Sequence, residues 1–490
     1  MPRGWRVFRK RALWDCESGR NMVGYGIEHM GEGLKEKERI TMKVLRKAVE
    51  LEIEKTVDVL VVGGGPAGVG AAVSAARNGA KTLLLEKRAF LGGNITACFV
   101  ENCNYFLKGT PFHSEGIYAE IERRCKEEFG SDNIRLRNPN AFCSEYLKVF
   151  LDRFVQESGA EVWFHSFVNE VITTDDHIDA VIIQTKKGPM AVAAEIIIDT
   201  TGDADVAFAS GVPFEQGREL DGLCQPGTVS VRFAGADVEK LTLEPDRLGE
   251  IGADFKRRYR AGETGLPCKR QDLPFGRLTP GGQISYANYA CAYGLDPTDV
   301  RDLTRGELEC RGYIMDLYHY LRENYEELRN IEIASIAPEI GFRDSRRIMG
   351  QYYLTIDDME ANRQFEDVIA VFPRFYDMLA PDAEMDGDGK VEGKGYKGHI
   401  YEPVVDGRSF QIPYRTMVPV NISNLLAAGR CISADHVAES GTRAISLCCM
   451  TGEAAGVAAA MSVKAHIAPK DVDVRALQEQ LKRQNINLPV

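Results

Sequence analysis

Gly63-Gly64-Gly65-Pro66-Ala67-Gly68 spells Gly-x-Gly-x-x-Gly directly after an apolar run, a pattern suited to holding a pyrophosphate. The first glycine permits the turn and the second lets backbone approach phosphate. The third lets a helix pack on a sheet, and that helix's opening favours negative charge. Glu86 ends the next apolar run, where a carboxylate accepts both ribose hydroxyls and repels a 2′-phosphate. The same spacing recurs at Gly393-Lys394-Gly395-Tyr396-Lys397-Gly398, but no strand precedes it and no helix follows, so it reads as a loop.

Other side chains can act on a substrate. His436, seven residues before Arg443, can be an acid/base because imidazole titrates near neutrality, or it can be a structurally satisfied histidine. Arg346 and Arg443 can grip a carboxylate or carbonyl oxygen through paired donors, or can hold domains together as salt bridges. Tyr414 and Arg415 are weaker candidates. Glu384 to Glu392 alternates oxygen side chains as a calcium loop does, but Gly395 stands where the bidentate glutamate belongs, so an acidic exposed loop is expected. Cys431, Cys448 and Cys449 lack partners at ligand spacing, so no metal site is expected.

The elements that must position these groups follow from periodicity. Thr56 to Glu86 reads as a βαβ unit: strand Val57 to Val62, alanine-rich helix Ala67 to Asn78, strand Thr82 to Glu86. Helices are predicted from Ser114 to Phe129 and Ser144 to Ser158 with serine caps, followed by strands Glu161 to His165 and Val168 to Thr174. Ala180 to Thr185 and Met190 to Ala193 are predicted hairpin partners. The apolar run Glu195 to Asp199 is a separate buried strand that ends in the Thr200-Thr201-Gly202-Asp203 turn.

From about Val212 to Pro413 the pattern mixes strands such as Thr228 to Phe233 with a helix from about Thr298 to Arg329. Asn424 to Gly429 is again a buried strand, followed by helices Thr442 to Val463 and Val472 to Gln484. Residues 1–41 read as a poorly patterned extension. Residues 56–211 and 414–490 then form one discontinuous nucleotide domain, with 212–413 as an inserted α+β substrate domain.

Composition narrows the function. The 490 residues carry 60 Lys+Arg against 72 Asp+Glu, a net charge of −12, which gives no global attraction for nucleic acid or anionic lipid. Twelve dilute cysteines without a Cys-x-x-Cys pair give no support to zinc-ribbon or iron–sulfur ligation and fit a reducing cytoplasm. No membrane span is expected, because the most apolar segment, Ala444 to Val463, is broken by Glu453. An oligomer is compatible with all of this.

Several further motifs select among dinucleotides: Lys87 after the acidic residue, Leu91-Gly92-Gly93-Asn94, Asp199 to Asp205, Gly217-Arg218-Glu219, Gly341 to Arg347, and Ala428 to His436. On these residues the chain resembles the FAD-dependent oxidoreductases with the glutathione-reductase-type (Rossmann-like) fold. Within them it resembles the branch related to the flavin subunit of heterodisulfide reductase. The resemblance covers about Val57 to Gln484. It implies that Gly63, Gly65, Pro66, Ala67 and Gly68 hold the FAD pyrophosphate, with Glu86 and Lys87 at the ribose. Gly92, Gly93 and Asn94 would approach the flavin, Val168 the adenine, and Gly202, Asp203, Gly429 and Arg430 would close over the cofactor. Thr442, at the predicted helix N-terminus with Gly441 and Arg443, would present backbone donors to the flavin ring.

Cys98 and Cys103 have the five-residue spacing of the redox disulfide in pyridine-nucleotide disulfide reductases, but Cys98 falls too far from Gly93 to match fully; inert buried thiols are the default. The expected activity is hydride transfer between FAD and a small organic substrate. One alternative is an electron-transfer flavoprotein working with a separate iron–sulfur partner, and another is a non-catalytic flavin-binding protein.

Overall fold

A computed structural model describes residues 50–101, 115–130, 143–243, 246–373, 376–381 and 408–489, together with the backbone of 11–14, 21–24 and 401–402. The chain divides into two units, Met1–Leu51 and Glu52–Val490. In the first, Arg11–Trp14 pairs antiparallel with Asn21–Gly24, an element not legible in a segment that reads as unpatterned. Cys103, the calcium-like run and the second glycine motif lie outside the described residues.

The second unit opens with the predicted βαβ: β1 (Ile53–Val62), α1 (Pro66–Arg77) and β2 (Thr82–Leu85). Pro66 takes the first helical position, where a missing N–H costs nothing. The two strands run parallel in register from Val59↔Thr82 to Val62↔Leu85. Helices α2 (Gly116–Phe129) and α3 (Ser144–Glu157) follow. The predicted serine cap of α3 is corrected: Ser144 is its first helical residue, and the Glu101 carboxylate accepts the Ser144 N–H at 2.9 Å. β3 (Glu161–Trp163) then pairs parallel with β2.

The predicted hairpin and the predicted buried strand prove to be one piece. β4 (Phe167–Thr174), β5 (His177–Thr185) and β6 (Gly188–Asp199) form an antiparallel meander. The 12-residue β6 also runs parallel to β1, from Ile53↔Ala191 to Val62↔Asp199. Ala191 to Ala194 contains no turn former, so the strand continues unbroken, and Ala191 and Val192 are paired on both edges, antiparallel to β5 and parallel to β1. The sheet is therefore mixed.

The chain next forms β7 (Phe214–Gln216), β8 (Gly227–Ala234), α4 (Arg247–Arg260), β9 (Ile284–Ala292), α5 (Val300–Asn324), β10 (Glu332–Ile336) and β11 (Arg346–Ile348). β8 is the centre of a three-stranded antiparallel sheet between β9 and β10. Val229, Phe233, Phe255, Tyr289, Ile314 and Leu317 share a core there, distinct from that of the nucleotide sheet. The stretch after it, including Leu354, Val368, Phe372 and Phe410, joins the nucleotide core through the antiparallel pair β12 (Val368–Pro373) and β13 (Ser409–Pro413).

β14 (Leu425–Ala427) returns to pair parallel with β6, Leu425↔Ile197, so the sheet is closed from both ends of the unit. The closing helix differs from expectation. It breaks at Arg443 and Ala444 into α6 (His436–Thr442) and α7 (Ile445–Ala465), followed by α8 (Val474–Arg483). By length and composition α7 could cross a bilayer, but 89% of its apolar window is buried inside the protein, where it crosses α1. Its uniform apolarity is that of a core helix.

Candidate functional site

A cavity of about 790 Å³ runs along the carboxyl edge of the parallel strands and under the inserted sheet, a size ordinary for a cofactor with its substrate. One end is lined by Gly63, Gly65, Pro66 and Ala67. Gly63 adopts φ +105°, and a Cβ there would lie 2.6 Å from the Thr200 carbonyl oxygen. A Cβ on Gly68 would lie 1.7 Å from the Gly63 oxygen, so this glycine is required by helix-on-turn packing and does not itself line the cavity. Gly65 is different. Its backbone is extended, φ −72° and ψ −175°, and a Cβ would meet nothing nearer than Gly93 Cα at 3.8 Å. The protein leaves that space open, and no side chain caps the first N–H groups of α1 beside it.

Glu86 lies at the end of β2 on the cavity wall, buried, with Oε2 accepting the Gly64 N–H at 2.6 Å and Oε1 accepting the Arg88 N–H at 2.8 Å. Lys87 and Val168 line the same end. Gly93 and Asn94 line the middle, whereas Gly92 stands behind them and donates its N–H to the Gly64 carbonyl at 2.8 Å. Arg430 closes the opposite wall: its Nε donates to the Gly202 carbonyl at 2.9 Å, and its guanidinium contacts the Phe342 carbonyl and Asp203, the latter at 2.5 Å. Gly202, Asp203, Gly429 and Arg430 all line the cavity. Asp205 beside them is pushed up to about 6 by burial and by the neighbouring Asp203 and Asp199.

The far end is formed by Ala444, Ile445 and Cys448 from the start of α7, with Thr228, Tyr286, Asn288, Arg343 and Leu379 from the intervening segments. Ala444 precedes α7 without a side-chain cap, so the uncapped N–H groups belong to α7. This corrects the expectation for Thr442. Because the helix breaks, Thr442 ends α6, is fully buried, and donates its hydroxyl to the Glu439 carbonyl at 3.3 Å.

The three substrate candidates separate. Arg443 lines the cavity, with its guanidinium held by the Asp377 carbonyl. His436 is buried behind the wall, its Nδ1 2.9 Å from Asp344 Oδ2. Arg346 is also behind the wall, 2.6 Å from Asp205 and stacked over the Phe208 ring. Of the two readings open for His436 and Arg346, the geometry favours the structural one. Cys98 is buried and its thiol is pushed up to about 11, so it is protonated at neutral pH. Missed from sequence were Arg343 and Arg270, which line the far end. Arg343 lies in a motif read as a unit, but its segment is irregular, and no periodicity indicates which of its three arginines faces inward.

Behind Arg443 lies Glu439, fully buried, with Arg443 Nε 3.9 Å away. Burial outweighs the pull of Arg443, Arg347 and Arg430 and, with Asp344 nearby, pushes this carboxyl up to about 8. A carboxyl raised on folding contributes stability that is complete below its unfolded value of about 4.3 and is lost as pH rises through the folded one. The melting temperature of the native protein is therefore expected to fall between pH 5 and 8, and Glu439→Gln to flatten that fall. Parallel thermal melts across this range check it, and equal slopes would remove Glu439 as the cause.

Residues 58–481 match the family of FAD dependent oxidoreductases, and the chain belongs to that family. Over 183 residues it is 29% identical to the thiamine thiazole synthase of Methanococcus vannielii, covering 34% of this chain and 65% of that one. Over 194 residues it is 27% identical to digeranylgeranylglycerophospholipid reductase 2 of Methanothermobacter thermautotrophicus, covering 38% and 49%. The chain thus spans less than two thirds of the length of either relative. A solved geranylgeranyl bacteriochlorophyll reductase-like protein of Thermoplasma acidophilum aligns over 88% of this chain and 84% of its own, with TM-score 0.42 and 13% identity. The cofactor of the family is FAD. The open space at Gly65, the uncapped α1 start and the buried carboxylate at the end of β2 fit its pyrophosphate and ribose.

Proposed function

We propose that the protein is a dehydrogenase- or reductase-type enzyme that moves a hydride between FAD and a small organic substrate. The observation that carries this reading is the single cavity reaching from Gly65 and Glu86, past Gly93 and Asn94, to Arg343 and Arg443 under the inserted sheet. Gly65 and the α1 N-terminus would hold the pyrophosphate, Glu86 the ribose, and Val168 the adenine. Bound FAD supplies the two-electron chemistry. The chain's own part is positioning. The α7 start and Arg443 direct N–H donors at the far end, where they favour negative charge. Arg430 ties Gly202, Asp203 and Phe342 together and keeps both walls at a fixed separation. Arg346 and His436 act as positioning residues, through Asp205 and Asp344.

The narrower likeness to the heterodisulfide reductase flavin subunit rests on the sequence motifs alone, as does a separate electron-transfer partner, and a reducing cytoplasmic location rests on the dilute cysteines. None of the ten cysteines among the described residues forms a disulfide, which agrees with such a compartment. The test is an anaerobic record of the 450 nm band of purified holoprotein as NADH, NADPH and small reduced metabolites are added. Bleaching by a metabolite and not by NADH is expected. Bleaching only by reduced ferredoxin would replace this reading with electron transfer, and failure to bind added FAD would overturn it.

A further inference from the structure

Among the cations on the cavity wall, Arg343 differs in its partners. Arg430 is paired with Asp203, and Arg270 is paired with Asp272 through Nε at 2.8 Å and Nη2 at 3.2 Å. The half-buried Arg343 guanidinium reaches only neutral acceptors, the Pro226 carbonyl at 3.2 Å and the Thr228 hydroxyl at 3.4 Å. Asp377 attracts it from a distance, but no carboxylate among the described residues lies within ion-pair distance of it. Burial lowers its proton affinity, but a guanidinium stays charged at every physiological pH. A desolvated, unpaired cation costs free energy until an anion meets it.

The surroundings add to this. Among the described residues lining this end, Lys256, Arg270, Arg343 and Arg443 stand with the carboxylates Asp272 and Asp377. The chain as a whole carries a net charge of −12, whereas among the described residues this end of the cavity carries more cationic than anionic side chains. The planar fork of arginine matches two oxygens of one anion. The neutral wall around it, Thr228, Gly341, Phe342 and Leu379, leaves room for an organic body beside the charged group.

We infer that the substrate is an organic anion whose carboxylate or phosphate docks on Arg343, within the positive field of Arg270, Arg443 and Lys256. This rests on the flavin reading above, and the test separates the two. Purified holoprotein is titrated with sodium benzoate, succinate and methyl phosphate, and with neutral benzamide, while perturbation of the flavin spectrum is recorded.

Saturable perturbation by an anion, at least about tenfold stronger than by benzamide and weakening as ionic strength rises, is expected. Arg343→Met should weaken binding at least about tenfold while FAD stays bound, and Arg343→Lys should fall between the two. Preference for benzoate or succinate assigns a carboxylate, and preference for methyl phosphate assigns a phosphate. Equal perturbation by benzamide, or undiminished anion affinity in Arg343→Met, overturns the inference and leaves the flavin reading standing. Loss of FAD from Arg343→Met would assign the guanidinium to the cofactor and also overturn it. If Arg343→Met does not fold, the benzamide comparison and the salt dependence of the native protein decide alone. Native protein that cannot be loaded with FAD fails at the earlier step.

Discussion

Gly65→Val gives a folded protein that cannot hold FAD. The extended backbone at residue 65 accepts a β-branched side chain without strain, and the nearest atom to a Cβ there is 3.8 Å away. The valine methyl groups therefore project into the space left for the pyrophosphate, where a ligand is the only thing they displace. FAD affinity is expected to fall by about two orders of magnitude or more, roughly 2.7 kcal/mol. The melting temperature of the flavin-free protein should stay within a few degrees of flavin-free wild type. The ratio of 450 nm to 280 nm absorbance after reconstitution, read beside a thermal melt, checks both halves. A variant that stays fully yellow would remove the pyrophosphate from this turn. Gly63 and Gly68 cannot serve for this experiment, because a Cβ at either strikes backbone and would confound folding with binding.

Gly452→Ala is expected to have the largest effect on stability. In isolation the change favours a helix by about 1 kcal/mol. Here the added Cβ would lie 2.0 Å from the Ala67 carbonyl oxygen, and backbone at a helix crossing cannot swing aside. Gly456 and Gly70 also approach closely on the same contact, where a Cβ would lie 2.4 Å from the Ala71 and Cys449 oxygens. Separating α1 from α7 loosens a fully buried interface, and a loss on the order of 3 kcal/mol is expected. Ala67 belongs to the dinucleotide turn, so flavin is expected to be lost with stability. Gly312→Ala is the control. It lies exposed within α5 with nothing within 4 Å of its Cβ, and should stabilise by about 1 kcal/mol. Chemical denaturation of the three proteins side by side decides it. An unchanged midpoint for Gly452→Ala would mean that the helices can move apart at little cost.

The cofactor end was legible in the sequence because it is built from local patterns. A strand, a glycine turn and a helix opening with Pro66 lie within one continuous stretch, and the physical demand on each glycine is met within a few residues or by the adjacent strand. The βαβ unit, the closing strand and the family all follow from that stretch and its companion motifs. The far end was not legible. Whether β6 is one strand or two depends on which neighbour each half pairs with, and β14 arrives from more than 200 residues away to pair with it. The break between α6 and α7 has no glycine or proline at Arg443 or Ala444 to announce it.

The same holds for the charged groups. The types and positions of His436, Arg346, Arg443 and Arg343 were all visible, but Arg343 and Arg443 lie in irregular backbone, and His436 and Arg346 stand at the first residue of short elements, where no repeat indicates which way a side chain faces. Only the tertiary arrangement decided that His436 meets Asp344, that Arg346 meets Asp205, and that Arg343 faces the cavity. The sequence by itself determined that the protein takes a dinucleotide, because that recognition is mostly local backbone geometry, and the resemblance of its companion motifs pointed to FAD. The three-dimensional fold decided which charges meet a substrate, because those charges come from segments joined only by long-range packing.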